Sequence, residues 1–165
     1  MLPQAISNDR SEQYRKLADQ LRGLLGEERD PVANAANMAA FLMMMLPDLN
    51  WVGFYFMHGK DELIVGPFQG KPACVRIPVG KGVCGTAVAK RASQVVDDVH
   101  AFAGHIACDA GSASELVVPI FDSATVVGVL DFDSPTKGRF DQWDRAGAEA
   151  LVEIFSTHSD LMRYR

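Results

Sequence analysis

The stretch ELVVPIFDSATVVGVLDFD, residues 115–133, decides the fold class of this chain. Two apolar segments rich in β-branched residues, 115–121 and 126–133, flank the polar tetrapeptide DSAT at 122–125. Apolar strands joined by a short polar turn are the pattern of a β-hairpin. The stretch therefore predicts two neighbouring antiparallel strands.

The segments around this hairpin predict further strands and four helices. A second hairpin is indicated by the aromatic and β-branched segment 50–57, a turn, and the returning segment 62–68. The remaining predicted elements are helices over 11–28 and from Pro31, a strand at 74–78, a helix ending at Arg91, a strand at 94–96 and a helix over 142–162. This order predicts an α+β fold, an α/β sandwich in which helices pack on the faces of an antiparallel sheet. The last helix is expected to turn inward Ala146, Ala150, Leu151, Ile154, Phe155 and Leu161.

Length and composition favour a single domain without nucleic-acid or membrane partners. A chain of 165 residues fits one compact core better than two, so we expect one domain over 1–165, with the N-terminal helices in 1–49 and the core of the fold in 50–165. Sixteen basic against 21 acidic residues give a net charge of −5, which repels phosphate backbones and anionic lipid headgroups. The longest apolar stretch, 38–46, is too short to span a bilayer, and the first residues lack a signal-peptide pattern. A cytoplasmic location is therefore expected.

The three cysteines, Cys74, Cys84 and Cys108, are the first candidates for chemistry. Structural disulfides are rare in the cytosol, so three small buried side chains are the plainest interpretation. A zinc site completed by His100 or His105 is disfavoured, because structural zinc ligands usually lie about two to four residues apart. These cysteines are ten (84 − 74) and 24 (108 − 84) positions apart, so thiol chemistry ranks above metal binding.

The segment 97–114 is the expected site-bearing loop. It contains Cys108 and two histidines and shows neither the helical nor the strand period. Irregular segments of this length in a small domain are usually functional or mobile.

Acidic and aromatic side chains are the other candidates for a site. Asp131 and Asp133 share one face of their strand, where two like charges indicate a place for an ammonium group or a proton donor. A solvated strand end explains these aspartates, and also Glu115 at the start of its strand, equally well. Trp51 and Tyr55 share a face as well and suit the wall of an apolar pocket, although core packing is the commoner role of such a pair.

Six literal strings are more specific than these patterns. They are NWVGFY at 50–55, GPFQGKPAC at 66–74, GVCGTA at 82–87, DVHAF at 98–102, GHIACD at 104–109 and GVLDFDS at 128–134. Together these strings resemble the free methionine-(R)-sulfoxide reductases, a stand-alone branch of the GAF domain family. The similarity runs from about residue 50 to residue 155, and all three cysteines fall where that family has them.

This resemblance implies a fold, an activity and partners. The expected fold is a GAF domain with a six-stranded antiparallel sheet between helices, without a metal or organic cofactor. The expected activity is the reduction of free methionine-(R)-sulfoxide, with a thioredoxin-like protein as reductant and a homodimer as the assembly. The alternative is a GAF module that senses a ligand or redox state without turnover.

The resemblance also assigns roles to the candidate residues. Cys108 is the nucleophile, Cys74 is the thiol that resolves it, and Cys84 lies close enough to join a disulfide exchange. The substrate-binding residues implied by the resemblance are the acids Glu115, Asp131 and Asp133 and the pocket aromatics Trp51 and Tyr55. One of the acids, with Glu115 as the first candidate, protonates the departing oxygen.

Overall fold

The computed structural model describes residues 10–106, 108 and 110–165. Residues 1–9 of the predicted N-terminal region, and positions 107 and 109 of the site-bearing loop, lie outside the described residues. The elements are α1 (Arg10–Leu25), α2 (Pro31–Met45), β1 (Trp51–His58), β2 (Glu62–Gly70), β3 (Arg76–Pro78), α3 (Gly82–Lys90), β4 (Gln94–Val96), β5 (Ser114–Asp122), β6 (Thr125–Ser134) and α4 (Gln142–His158). Single turns of 3-10 helix lie at Val99–Ala101 and Met162–Tyr164. The predicted order of helices and strands is confirmed.

Within the described residues, six strands form one sheet in the order β3-β2-β1-β6-β5-β4, and every neighbouring pair is antiparallel. The two predicted hairpins, β1–β2 and β5–β6, are joined through pairing of β1 with β6. These two strands therefore lie at the centre of the sheet, and the predicted α+β class is confirmed.

The sheet separates two apolar layers. Val52, Phe54 and Phe56 of β1 pack with α1, α2 and α4 in the larger layer. Trp51 and Tyr55 of the same strand point to the opposite face, where they pack with α3 in a smaller layer. This alternation follows from the period of two along a strand. Helices thus cover both faces, and the smaller layer contains the candidate site.

The C-terminal helix is shorter than predicted. It begins at Gln142, where Asp141 caps the first turn, but it ends at His158 rather than at Met162. Tertiary hydrogen bonds hold the chain where the helix ends. The side-chain amide of Asn34 donates to the carbonyl of His158, and the backbone N–H of Asp160 donates to the carbonyl of Arg29. These bonds hold the chain in an extended conformation from Ser159, where φ is −119° and ψ is 143°.

The inward face of α4 also differs from the prediction at two positions. Ala146 and Ala150 are exposed, whereas Gly147 and Ala148 face the core. The predicted inward positions of the other four residues are confirmed, since each is buried. The reason for the shift is the contact with α1: a Cβ atom on Gly147 would lie only 2.0 Å from Cγ of Tyr14. The missing side chain at Gly147 lets the two helices approach closely.

We expect Gly147→Ala to lower the free energy of unfolding by about 1–3 kcal/mol, because the added methyl group must displace the Tyr14 ring. Gly23→Ala in α1 is the matched control, since a Cβ there meets nothing within 4 Å. That substitution is expected to raise the free energy of unfolding by up to about 1 kcal/mol through helix propensity. Urea denaturation of the two variants measures both effects. Equal stability of the two variants would contradict the proposed close contact.

The site-bearing loop is fastened at its base. The 3-10 turn after Asp98 is capped by that carboxylate, which accepts from the N–H of His100 and pairs with Lys137. At the far end, the N–H of Val99 donates to the carbonyl of Ala113 at 2.9 Å. The loop therefore starts and ends at adjacent points, and its carbonyl at Gly104 accepts from the N–H of Gly82 at the start of α3. None of the described helices is long and apolar enough to cross a membrane.

Candidate active site

A pocket lies on the α3 side of the sheet, between the central strands and the loop that carries Cys108. Its lining includes two aromatic rings, two cysteines, three acids and one histidine: Trp51, Tyr55, Cys84, Cys108, Glu115, Asp131, Asp133 and His105. Of the residues to which the resemblance assigns a role, Cys74 alone stands outside this lining, and its neighbours Pro72 and Ala73 form part of the wall. The fold thus brings together residues that are far apart in the sequence.

Strand register places three of these side chains in one row. Trp51 of β1 pairs with Asp133 of β6, and Asp133 pairs on its other side with Glu115 of β5. Directly paired residues project on the same face of a sheet. Asp131, two positions before Asp133, projects on that face too. The sheet therefore presents an aromatic ring next to a cluster of carboxyl groups.

The acid cluster is buried. Glu115 is 6% and Asp131 is 5% exposed. Burial, and then the charges of Asp131 and Asp133, raise the pKa of Glu115 well above its usual value. Burial raises the pKa of Asp131 to about 6, while hydrogen bonds from Glu115 and Cys84 limit that rise. The raised pKa of Glu115 therefore favours its neutral form, which can donate a hydrogen bond to the carboxylate of Asp131.

Cys84 lies in the first turn of α3 and completes this cluster. Its sulfur is 3.4 Å from Oδ2 of Asp131 and 4.0 Å from Oε1 of Glu115. Burial, followed by the charges of Asp131 and Glu115, raises the pKa of the Cys84 thiol well above its usual value. Cys84 is therefore a neutral thiol that donates to Asp131. Gly85 permits the close approach of α3 to the end of β3, because a Cβ atom on Gly85 would lie 2.3 Å from the carbonyl oxygen of Pro78.

A disulfide joins Cys74 and Cys108. Cys74 precedes β3 and Cys108 lies on the site-bearing loop, so the bond connects the loop to the wall of the pocket. Cys84 is the one cysteine of the sequence that remains a free thiol. This pairing excludes a zinc site that uses all three thiolates in this redox state, and it fits a thiol–disulfide mechanism.

Hydrogen bonds and stacking fix the two aromatic rings. The indole N–H of Trp51 donates to the carbonyl of Lys71 at 3.1 Å, and the hydroxyl of Tyr55 donates to the carbonyl of Cys74 at 3.2 Å. The ring of Trp51 stacks between Tyr55 and Phe68, with centroid distances of 5.8 and 5.2 Å. These contacts hold a rigid apolar wall beside the acids.

Two residues of this site were not singled out for it by the sequence. The ring of Phe68 stacks on Trp51. The sequence indicated only that Phe68 lies in an apolar strand. His105 lines the pocket, and its Nε2 atom is 3.9 Å from Oε2 of Glu115. Its position three residues before Cys108 was a usable signal, but the sequence pattern indicated only a disfavoured zinc ligand there.

Comparison with known proteins agrees with this geometry. The sequence matches the GAF domain family over residues 9–158. It is 49% identical over 144 residues to the free methionine-R-sulfoxide reductase of Escherichia coli strain K12, and these residues cover 87% of this chain and 87% of that protein. The free methionine-R-sulfoxide reductase of Neisseria meningitidis, solved in complex with its substrate, has a TM-score of 0.89 at 43% identity, covering 93% of this chain and 92% of that chain. The reduced form of fRMsr of Staphylococcus aureus has a TM-score of 0.85 at 53% identity, covering 88% and 94% respectively.

The fold and the site together define a GAF domain with a disulfide beside an acidic pocket. The chain belongs to the GAF domain family, and within that family to the free methionine-R-sulfoxide reductases. The resemblance drawn from the six sequence strings is confirmed.

Proposed function

We propose that this protein reduces free L-methionine-(R)-sulfoxide to methionine with the thiol of Cys108. The observation that carries the proposal is the Cys74–Cys108 disulfide beside a pocket lined by aromatic and acidic side chains. Such a pair of cysteines can exchange between two thiols and a disulfide, which is the two-electron change that sulfoxide reduction requires.

In the first step, the pocket binds the free amino acid. The methyl group of the substrate packs against Trp51, whose ring is held in place by its neighbours. The α-ammonium group pairs with the carboxylates of Asp131 and Asp133, on the same face of β6. The buried oxygen Oδ1 of Asp131 lacks a hydrogen-bond partner among the described residues, which supports a cationic group at this position.

In the second step, the Cys108 thiolate attacks the sulfoxide sulfur. The sulfoxide oxygen takes a proton from Glu115 and passes to the sulfur of Cys108, giving a sulfenic acid and methionine. Glu115 suits the role of donor because its burial raises the pKa of the carboxyl group and so favours the protonated form. The sulfur of methionine gains two electrons, and the sulfur of Cys108 loses them.

In the third step, the thiol of Cys74 condenses with the sulfenic acid, which releases water and forms the disulfide. We assign the resolving role to Cys74 rather than Cys84, since Cys74 is the partner of Cys108 in the disulfide. Cys84 is 2% exposed and its raised pKa keeps it from forming the thiolate that nucleophilic attack needs. Its role in the proposal is the hydrogen bond to Asp131.

An external dithiol must then reduce the disulfide before the next turnover. We propose a thioredoxin-like protein for this role and a cytoplasmic location, where such reductants maintain thiols. We also propose that the protein is a single GAF domain that assembles as a homodimer.

Substrate selection tests the proposed function. We expect purified protein to reduce free methionine-(R)-sulfoxide and to reduce the N-acetylated form at least tenfold and up to about a thousandfold more slowly in kcat/KM, because acetylation removes the charge that the carboxylates bind. Peptide-bound sulfoxide is expected to fail as well, because a flanking chain fills the space under the loop. The (S) epimer is expected to fail because its oxygen points away from Glu115.

The matched variants for this assay are Asp133→Asn and Asp122→Asn. The first removes a carboxylate of the pocket, so we expect the kcat/KM values for the free and the N-acetylated substrate to become more similar. The second removes a carboxylate that pairs with Arg165 at the other end of β5, and the ratio is expected to stay unchanged. Comparable rates on all four sulfoxides in the unsubstituted protein would overturn the proposed function, and binding without turnover would favour a sensor.

A further inference from the structure

We propose that the pocket also contains a binding site for a thiophilic divalent cation of the zinc type, formed by Cys84, Glu115 and Asp131. One ligand atom from each of these buried residues lies within 4.8 Å of the others. The ion is not a cofactor of the proposed reaction. It occupies the part of the pocket where the proposed function places the ammonium group and the proton donor, so it acts as an inhibitor.

The distances between the three ligand atoms suit a tetrahedral ion. Zinc binds sulfur at about 2.3 Å and carboxylate oxygen at about 2.0–2.2 Å, so a sulfur–oxygen edge of its coordination tetrahedron is about 3.5 Å long. The sulfur of Cys84 lies 3.4 Å from Oδ2 of Asp131 and 4.0 Å from Oε1 of Glu115. Both sulfur–oxygen distances therefore lie within about 0.5 Å of such an edge.

Two further observations favour a cation at this place. Oδ1 of Asp131 is buried without a hydrogen-bond partner among the described residues, and a buried carboxylate oxygen in that situation favours a positive ligand. No lysine or arginine is among the described side chains that line the pocket, whereas Asp133 adds a further carboxyl group. The described lining of the pocket therefore has a negative potential.

The donor set selects the class of metal. An ion that binds here displaces the protons of Cys84 and Glu115. The resulting thiolate with two carboxylates favours zinc and cobalt over magnesium and calcium, which prefer oxygen ligands alone. This set differs from the zinc set considered for the sequence, because it uses neither Cys74 nor Cys108. The site thus stays complete when those two cysteines form their disulfide. Three protein ligands leave a fourth position open toward the pocket, as in zinc sites that exchange ligands.

Cobalt(II) added to the oxidised protein tests the site without any turnover. Cys74 and Cys108 are then joined, so a thiolate-to-cobalt charge-transfer band can come only from Cys84. We expect one equivalent of cobalt to produce this band and one equivalent of zinc, but not magnesium, to remove it. The absence of the band with cobalt in excess would overturn the proposal.

Variants then identify the ligands. Cys84→Ser is expected to lose the band, and Asp131→Asn to weaken cobalt binding at least tenfold while keeping the band at saturation. Asp122→Asn, a carboxylate outside the pocket, is the control and is expected to bind as the unsubstituted protein does. Far-ultraviolet circular dichroism checks that each variant is folded. Unchanged affinity in folded Asp131→Asn protein would overturn the proposed ligand set.

Competition connects the ion to the pocket. We expect free methionine-(R)-sulfoxide to raise the cobalt concentration needed for half-saturation, because both ligands require Asp131. This last experiment rests on the proposed function, whereas the charge-transfer band does not. A protein that shows the band but never reduces sulfoxide would overturn the proposed function alone, and a reductase without the band would overturn the ion site alone.

Discussion

Cys108→Ser is expected to abolish the formation of methionine, whereas Cys74→Ser is expected to release about one equivalent of methionine per chain and then stop. The first substitution removes the attacking sulfur, and the second removes only the thiol that resolves the sulfenic acid. Methionine is measured after reduced protein is mixed with excess free sulfoxide in the absence of a recycling system.

The two substitutions serve as controls for each other, because each removes one half of the same disulfide. Equal loss of activity in both would place Cys74 in the first chemical step. A full equivalent of methionine from Cys108→Ser protein would remove Cys108 from the role of nucleophile. A dimedone adduct on Cys108 in the Cys74→Ser protein would report the trapped sulfenic acid directly.

Glu115→Gln is expected to lower kcat/KM by about a hundredfold or more, the usual contribution of a general acid. The glutamine has nearly the same shape but cannot give up a proton to the departing oxygen. The pH profile supplies a second measurement. Burial and the neighbouring carboxylates raise the pKa of Glu115, so the proton is present at low pH and is lost as the pH rises through that pKa. We therefore expect kcat/KM of the unsubstituted protein to fall at high pH, and we expect no such fall in the Glu115→Gln variant.

Asp122→Asn is the matched control for this prediction, because it neutralises a carboxylate on the same strand outside the pocket. Its kcat/KM is expected to stay within about twofold of the unsubstituted value, as is usual for a surface substitution. Urea denaturation of both variants separates loss of chemistry from loss of folding. Near-normal kinetics in folded Glu115→Gln protein would assign the proton transfer to another acid of the cluster.

Local composition predicted much of the sheet. Apolar, β-branched segments joined by polar turns identified both hairpins, and the period of two along a strand predicted that Asp131 and Asp133 share one face. It could not show which strands pair between the hairpins. The row Trp51–Asp133–Glu115 depends on β1 pairing with β6, a contact between residues about 80 positions apart in the sequence. The candidate site therefore became a single pocket only in three dimensions.

Tertiary contacts account for the predictions that were wrong. The apolar residue Leu161 made the last helix look longer, because it is buried like the inward residues before it. It reaches the core from the short connection between α4 and the 3-10 turn Met162–Tyr164, which Asn34 and Arg29 hold in place. Likewise, no spacing rule connects Cys84 to the acids of β5 and β6. The crossing of α3 over the sheet brings its sulfur there, and the bare backbone at Gly85 permits the tight turn from β3 into this helix.

The central claim is that one chain converts one free methionine-(R)-sulfoxide through a disulfide between Cys74 and Cys108. The most direct measurement mixes fully reduced, unsubstituted protein with this sulfoxide, without any reductant, and then maps the thiols by mass spectrometry while methionine is counted. We predict about one equivalent of methionine per chain, a disulfide between Cys74 and Cys108, and a free thiol at Cys84. Disulfides that include Cys84, or oxidation of the cysteines without release of methionine, would contradict the proposed mechanism.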